Sequence, residues 1–303
     1  MHNFTRRTTL VSALALAACK PTDPATPVEP NDDRAMLFHG HISQLEQRIG
    51  GRIGVCALNT ADGFTLSERG DERFAMCSMF KWLLAAQVLH TDARTPGFRA
   101  QQVRFTAADL EGLGHAPVTR GNLARGSMTM EELAHAAVVQ SDNGAANLIM
   151  AAAGGPEGLT QFLRANGDAV TRLDRTEPAL NENLPGDERD TTTPNAMAQT
   201  MQRFLLTDDV LNAASRETLT NWLIECQTGL DRLRGGFPAD WRAGDKTGTS
   251  DETHNATTDV AIAWPPNRAP IIVASFLSES TVDLAARKAA HAEIARYVVE
   301  GMN

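Results

Sequence analysis

The chain has 303 residues, of which 42% are apolar, 21% charged and 5% aromatic, and its formal charge is −9. Such a composition excludes a disordered or fibrous chain and fits one large globular domain or two interlocked ones. The acidic balance offers no basic face for nucleic acid, and no zinc-finger spacing, P-loop or dinucleotide glycine pattern occurs.

Taken in chain order, residues 1–18 have the layout of an export signal: Arg6-Arg7 form a charged start, and an apolar stretch follows over 10–18. Leu16-Ala17-Ala18-Cys19 resembles a bacterial lipobox, which implies cleavage before Cys19 and lipidation of that residue. Thr5-Arg6-Arg7 resembles a twin-arginine signal. An ordinary secretory signal with a chance cysteine is the alternative. Residues 20–33 hold four prolines in fourteen residues with no apolar period, which predicts an extended tether over 19–33. No later run reaches the ~18 apolar residues that a membrane span requires. With Cys19 lipidated, Cys56, Cys77 and Cys226 remain, which allows one disulfide at most.

Helical spacing over 34–49 stops at Gly50-Gly51, and a strand over 52–60 turns at Ala61-Asp62-Gly63 into a second over 64–67. The middle is helical. Residues 78–90 are apolar almost all round, the sign of a buried helix. A capping box at Thr129 leads into 133–139. Further helices are predicted over 147–152, from Pro156 to about Gly167, and from Pro194 to Leu206. Residues 175–194 form a polar loop without periodicity, and loops of that length are usually functional. Strands over 240–249, 257–264 and 270–278 and a helix over 283–300 complete the chain. The pattern predicts an α/β (α+β) two-domain fold. An antiparallel sheet built from both termini (34–70 and 228–303) is flanked by helices, an all-α domain (71–227) is inserted, and the active site lies in the cleft between them.

Three fragments carry the chemistry: Ser78-Met79-Phe80-Lys81, then Ser141-Asp142-Asn143, then Lys246-Thr247-Gly248-Thr249. The chain has only four lysines, and two of them fall in these fragments. Ser78 and Lys81 share a helix face. Lys81 is the only charge in residues 78–89, so burial would lower its pKa and let it accept the serine proton; a lysine snorkelling to the surface is the alternative. Ser78 at a helix start would aim its N–H at a developing oxyanion. Ser-Asp-Asn taken alone is also ordinary turn chemistry. A glycine in a strand, as at Gly248, often marks close approach of a ligand, and Lys246 offers a charge for a carboxylate. Cys77 beside Ser78 reads as a small packed hydrophobe.

In order and content the fragments resemble the motif set of the serine β-lactamase and penicillin-binding protein superfamily. Arg175-Thr176-Glu177-Pro178-Ala179-Leu180-Asn181 resembles the Ω-loop (175–190) of the class A β-lactamases, and the similarity extends over 34–303. The resemblance implies hydrolysis of penicillins and cephalosporins through an acyl-enzyme on Ser78. Lys81, Glu177 or both would serve as base in acylation, and Glu177 with Asn181 would hold the deacylating water. Ser141 would relay a proton to the leaving nitrogen, and Asn143 would bind the substrate side-chain amide. The N–H groups of Ser78 and Thr249 would form the oxyanion hole, while Lys246, Thr247 and Thr249 would hold the carboxylate. A cis Glu177-Pro178 bond and an ion pair between Arg175 and Asp190 are implied too, the latter weighed against a solvated contact of little worth.

Arg232 matches a position where some carbapenemases of the class carry an arginine, and His115 matches a cleft-edge position usually held by an aromatic. Ser250 stands where those enzymes have a second cysteine, so the bridge to Cys77 cannot form. Carbapenem hydrolysis stays open on these residues. No cofactor or metal is implied, since His39-Gly40-His41 lacks following ligands. The expected partner is a small-molecule β-lactam, with the membrane met only through the anchor, in a periplasmic monomer. A penicillin-binding D,D-peptidase or a non-hydrolytic penicillin sensor is the alternative, against which Glu177 argues.

Overall fold

The computed structural model describes residues 1–2, 33–251 and 254–302. The expectations for Arg6-Arg7, for Cys19 and for the tether up to residue 32 lie outside the described residues.

The body opens with α1 (Asp33–Ile49), β1 (Arg52–Asn59) and β2 (Thr65–Glu68), then a two-residue strand β3 (Phe74–Ala75). A 3₁₀ turn over Cys77–Phe80 passes directly into α2 (Lys81–Arg94). The middle continues through β4 (Gln102–Arg104), α3 (Pro117–Gly121), β5 (Ser127–Thr129), α4 (Met130–Val139), α5 (Asn143–Ala152) and α6 (Gly155–Ala165). After the 175–190 loop come β6 (Thr191–Thr192), α7 (Pro194–Leu206) and α8 (Ala213–Glu225). The chain then forms β7 (Arg242–Thr249), β8 (Thr257–Trp264), β9 (Ile271–Ser278) and α9 (Leu284–Met302).

The sheet is five-stranded in the order β2-β1-β9-β8-β7, antiparallel throughout, and so is drawn from both ends of the chain as predicted. Both faces are covered. Along β1, Ile53, Val55 and Ala57 pack with α1 and α9, while Cys56 and Leu58 join the core shared with the helical region. Side chains two apart share a face, so one strand feeds two cores. The same alternation in β7 turns Lys246 and Gly248 to one face and Asp245, Thr247 and Thr249 to the other.

Three differences from the sequence reading follow from local physics. Ser78 and Lys81 are spanned by a 3₁₀ turn rather than by the first turn of an α-helix. With three residues per turn, side chains at i and i+3 eclipse, which brings the pair closer than an α-helix would. Second, α8 is an element that the apolar pattern does not predict. Its signals are Asn212, whose side chain accepts from Ser215 N at 2.9 Å, and the buried Leu219, Trp222 and Leu223. Third, the region over 71–227 is not helical throughout. β3 pairs with β6 and β4 with β5, and α7 packs against β1 and β9. The predicted capping box at Thr129 is present: Glu132 N donates to Thr129 Oγ1 at 3.1 Å, and Thr129 N to Glu132 Oε2 at 2.7 Å.

Candidate active site

Ser78 is held by the turn that precedes α2. Cys77 before it has φ 47° and Ser141 across the cleft has φ 55°, left-handed conformations that cost about 1–3 kcal/mol each in a non-glycine residue. Surrounding packing must impose them. Gly248 leaves room for this arrangement: a Cβ there would lie 2.4 Å from Met76 O and 3.0 Å from Cys77 Cβ. β7 therefore lies directly against the turn that carries the serine. Cys56, Cys77 and Cys226 are all free and buried, and burial pushes the Cys56 thiol up to about 12 and the Cys77 thiol upward as well. Buried thiols so disfavoured as thiolates are packing groups rather than nucleophiles.

Lys81 is fully buried and surrounded by acceptors. Its Nζ donates to Ser78 Oγ at 2.8 Å, to Ser141 O at 2.9 Å and to Asn143 Oδ1 at 2.5 Å, and pairs with Glu177 Oε1 at 2.8 Å. The alternative of a snorkelling surface lysine is thereby excluded. Burial holds its pKa below the ordinary lysine value, opposed by the neighbouring Glu177 carboxylate. Ser78 Oγ in turn donates to Glu177 Oε1 at 3.2 Å. One serine hydroxyl thus lies within hydrogen-bond reach of both an amine and a carboxylate.

Glu177 is set by the loop and by α5. Asn147 bonds its backbone on both sides, Glu177 N donating to Asn147 Oδ1 at 3.0 Å and Asn147 Nδ2 to Glu177 O at 2.9 Å. Asn181 Nδ2 donates to Glu177 Oε2 at 2.6 Å. The Glu177-Pro178 bond is cis. The loop is pinned at its neck by Asp190, whose Oδ1 accepts from Asp174 N at 2.7 Å and Arg175 N at 2.9 Å. Asp190 Oδ2 accepts from Arg175 Nε at 2.6 Å. With the Asp190 side chain 1% exposed, this is no solvated surface pair.

The opposite wall is β7. Lys246, also fully buried, donates to Ser141 Oγ at 3.0 Å and Thr247 O at 2.8 Å. Burial lowers its pKa to about 8, with Lys81 and Arg232 adding to the effect. Thr247 Oγ1 meets Thr228 Oγ1 at 2.6 Å. Arg232 is buried rather than on the surface. Its Nη2 donates to Thr249 Oγ1 and its Nη1 to the carbonyls of Gly248 and Thr258, each at 2.7 Å. Further along the face that carries Thr247, Arg234 donates to Asp245 Oδ1 at 3.3 Å and Leu233 N to Asp259 Oδ2 at 3.0 Å. Burial raises both carboxyls, Asp245 to about 6 against the opposing charges of Arg234, Lys246 and Arg232, and Asp259 further through the neighbouring Asp245, against Arg232.

His115 closes the edge of the cleft. Its Nε2 bonds Gln140 O at 2.8 Å, and its carbonyl accepts from Asn143 N at 2.8 Å. Asn143 Nδ2 is engaged by Leu113 O at 2.7 Å. Asp142, the middle residue of its fragment, fastens this edge by accepting from Val118 N, Thr119 N, Thr119 Oγ1 and Ala145 N, and also caps α5. Ser78, His115, Ser141, Asn143, Asn181, Arg232, Thr247 and Thr249 all line one cavity of about 590 Å³. Asn147 and Asp259 are among the contributors that escape the sequence reading. Asn147 lies one helical turn after Asn143, a spacing that places both on one face and could have flagged it. Asp259 carries no motif, and its place beside Thr247 follows only from the strand register.

The chain's similarities agree with this geometry. The model of the β-lactamase enzyme family matches residues 38–302. Beta-lactamase AST-1 of Nocardia asteroides is 42% identical, with 98% of this chain and 96% of that protein covered. Beta-lactamase OXY-2 of Klebsiella oxytoca is 43% identical over 88% of this chain and 89% of its own length. Among solved structures, the class A β-lactamase of the last common ancestor of Gram-negative bacteria superposes with a TM-score of 0.83 at 52% identity, covering 88% of this chain and 99% of that one. A β-lactamase from Xanthomonas campestris gives a TM-score of 0.85 at 44% identity, covering 89% and 99%.

Proposed function

The chain belongs to the β-lactamase enzyme family, in its class A branch, and hydrolyses β-lactams; from that premise we propose that it does so through an ester on Ser78 formed and cleared by two neighbouring bases. The observation that carries this reading is the convergence of Lys81 Nζ and Glu177 Oε1 on Ser78 Oγ, with Asn181 on the other oxygen of Glu177.

In acylation Ser78 Oγ attacks the lactam carbonyl and gives its proton to Lys81 or Glu177. The N–H groups of Ser78 and Thr249 receive the carbonyl oxygen as it becomes an oxyanion. The ring C–N bond breaks, and the nitrogen takes a proton from Ser141, whose hydroxyl lies against Lys246 Nζ; Ser141 regains one from the base that accepted the Ser78 proton, so that Lys81 and Glu177 end the step as they began it. Lys246, Thr247 and Thr249 hold the substrate carboxylate, and Arg232 orients Thr249 through its hydroxyl. Asn143 contacts the substrate side-chain amide, and His115 borders it. In deacylation Glu177 takes a proton from water, the hydroxide attacks the ester carbonyl, and the ester C–O bond breaks as Ser78 Oγ takes that proton back from Glu177, which is thereby regenerated. Asn181 Oδ1 supports the placing of that water. It is a buried acceptor without a protein partner among the described residues, and such groups are normally satisfied by water.

A chromogenic cephalosporin tests the reading directly. Sustained turnover far beyond one equivalent is expected, whereas a stoichiometric burst that then stops would make the protein a D,D-peptidase or a penicillin sensor. The motif at Leu16-Ala17-Ala18-Cys19 supports a lipid-anchored periplasmic enzyme, and Thr5-Arg6-Arg7 supports its export by the twin-arginine route. No described helix is long and apolar enough to cross a membrane. Cys19→Ala is therefore expected to move the enzyme from the membrane to the soluble fraction, and unchanged fractionation would refute the anchor.

A further inference from the structure

The active-site cavity extends past the residues assigned to the substrate carboxylate, onto a rim of Leu230, Asp231, Leu284 and Lys288. Leu230 is 59% exposed and Leu284 39%. Single exposed leucines need no explanation, but two lining one cavity beside a binding site form a shelf for something apolar. Leu230 and Asp231 immediately precede Arg232, which grips Thr249, so the shelf adjoins the carboxylate anchor. Leu284 and Lys288 are one turn apart on α9 and face the same side. Lys288 Nζ bonds Asp231 Oδ2 at 2.9 Å, and the aspartate is the more open partner, 58% exposed against 30%. An exposed pair of this kind is weak and can exchange partners.

We propose that Leu230, Leu284 and Asp231 read the substituent carried next to the substrate carboxylate, and favour one that is flat, aromatic and positively charged. In a cephalosporin that substituent sits on the ring carbon bonded to the one bearing the carboxylate, so anchoring the carboxylate delivers it to this rim. A penicillin presents only methyl groups on the corresponding carbon. The leucines would cover a heteroaromatic ring, and Asp231 would exchange Lys288 for the ring's cation. This inference rests on the assignment of Lys246, Thr247 and Thr249 to the carboxylate.

Two cephalosporins with the same acyl side chain, one bearing a neutral acetoxymethyl group and the other a pyridiniummethyl group at that carbon, test it. The readout is the ratio of their kcat/KM values, cationic over neutral. Asp231→Asn should lower the ratio about two- to five-fold, the scale of an exposed ion pair. Lys288→Met should raise it, because it frees Asp231 and removes a repelling charge. A bridge that merely held two segments together would shift the ratio in the same direction in both variants, or in neither, and either result overturns the proposal. Lys246→Ala is the control for the anchor. It should raise KM for both compounds, and an unchanged KM would overturn the carboxylate assignment together with the rim, whereas a raised KM with parallel ratios overturns the rim alone.

Discussion

Glu177→Gln is expected to convert the enzyme from one that turns over a β-lactam into one that stops as an ester, visible as a persistent added mass on the intact protein. Glutamine keeps the shape and can still accept from Asn181 Nδ2, but cannot take a proton from water. Loss of a positioned general base typically costs about 10²–10⁴-fold, and here that loss falls on deacylation. Acylation need not suffer equally. The Glu177 carboxylate opposes the lowering of the Lys81 pKa by burial, so its removal leaves Lys81 more readily neutral and a better proton acceptor for Ser78. Ester formation at near the parent rate would assign the acylation base to Lys81, and slow formation would assign it to Glu177. Turnover at the parent rate in the variant would sink the role of the 175–190 loop altogether.

How much of this was legible before folding depends on the kind of signal. Ser78, Lys81, Ser141, Asn143, Lys246 and Glu177 stood in short fragments whose rare residues and order were informative by themselves. The strand near the N-terminal end was legible from its alternation, and those at the C-terminal end from the apolar runs of β8 and β9. Their closure into one sheet around a helical middle was an argument from topology. What the sequence could not carry was contact between distant residues of ordinary type. Nothing in the isolated string says that Asn147 brackets Glu177, or that Asp142 fastens Val118 and Thr119, since each bond spans more than twenty residues. The 3₁₀ turn at Ser78 escaped for another reason: helical periodicity is read over several turns, and this departure occupies one. Arg232 shows the limit most plainly. Its position hinted at a role, but only its burial and three bonds around Gly248, Thr249 and Thr258 separate it from a surface arginine.

The alkaline limb of kcat/KM is expected to be set by Lys246. Its pKa, lowered by burial to about 8 from the ordinary 10.5, means that the free enzyme loses this charge just above neutrality. Because kcat/KM reports titrations of the free enzyme, it should fall about tenfold for each pH unit above that value, mainly through KM. Lys81 titration does not predict such a fall, since its neutral form is the competent base. Unfolding does not either. A lysine whose folded pKa is depressed carries its full stability penalty below about pH 8, where it is charged in both states, and the penalty shrinks as pH rises towards 10.5. Stability from this group therefore increases through the window in which binding is lost. Lys246→Arg separates the possibilities, because a guanidinium keeps its charge there. The larger side chain in a fully buried position should lower activity at neutral pH yet flatten the limb. A limb with an unchanged midpoint in that variant would remove Lys246 from the role of carboxylate anchor.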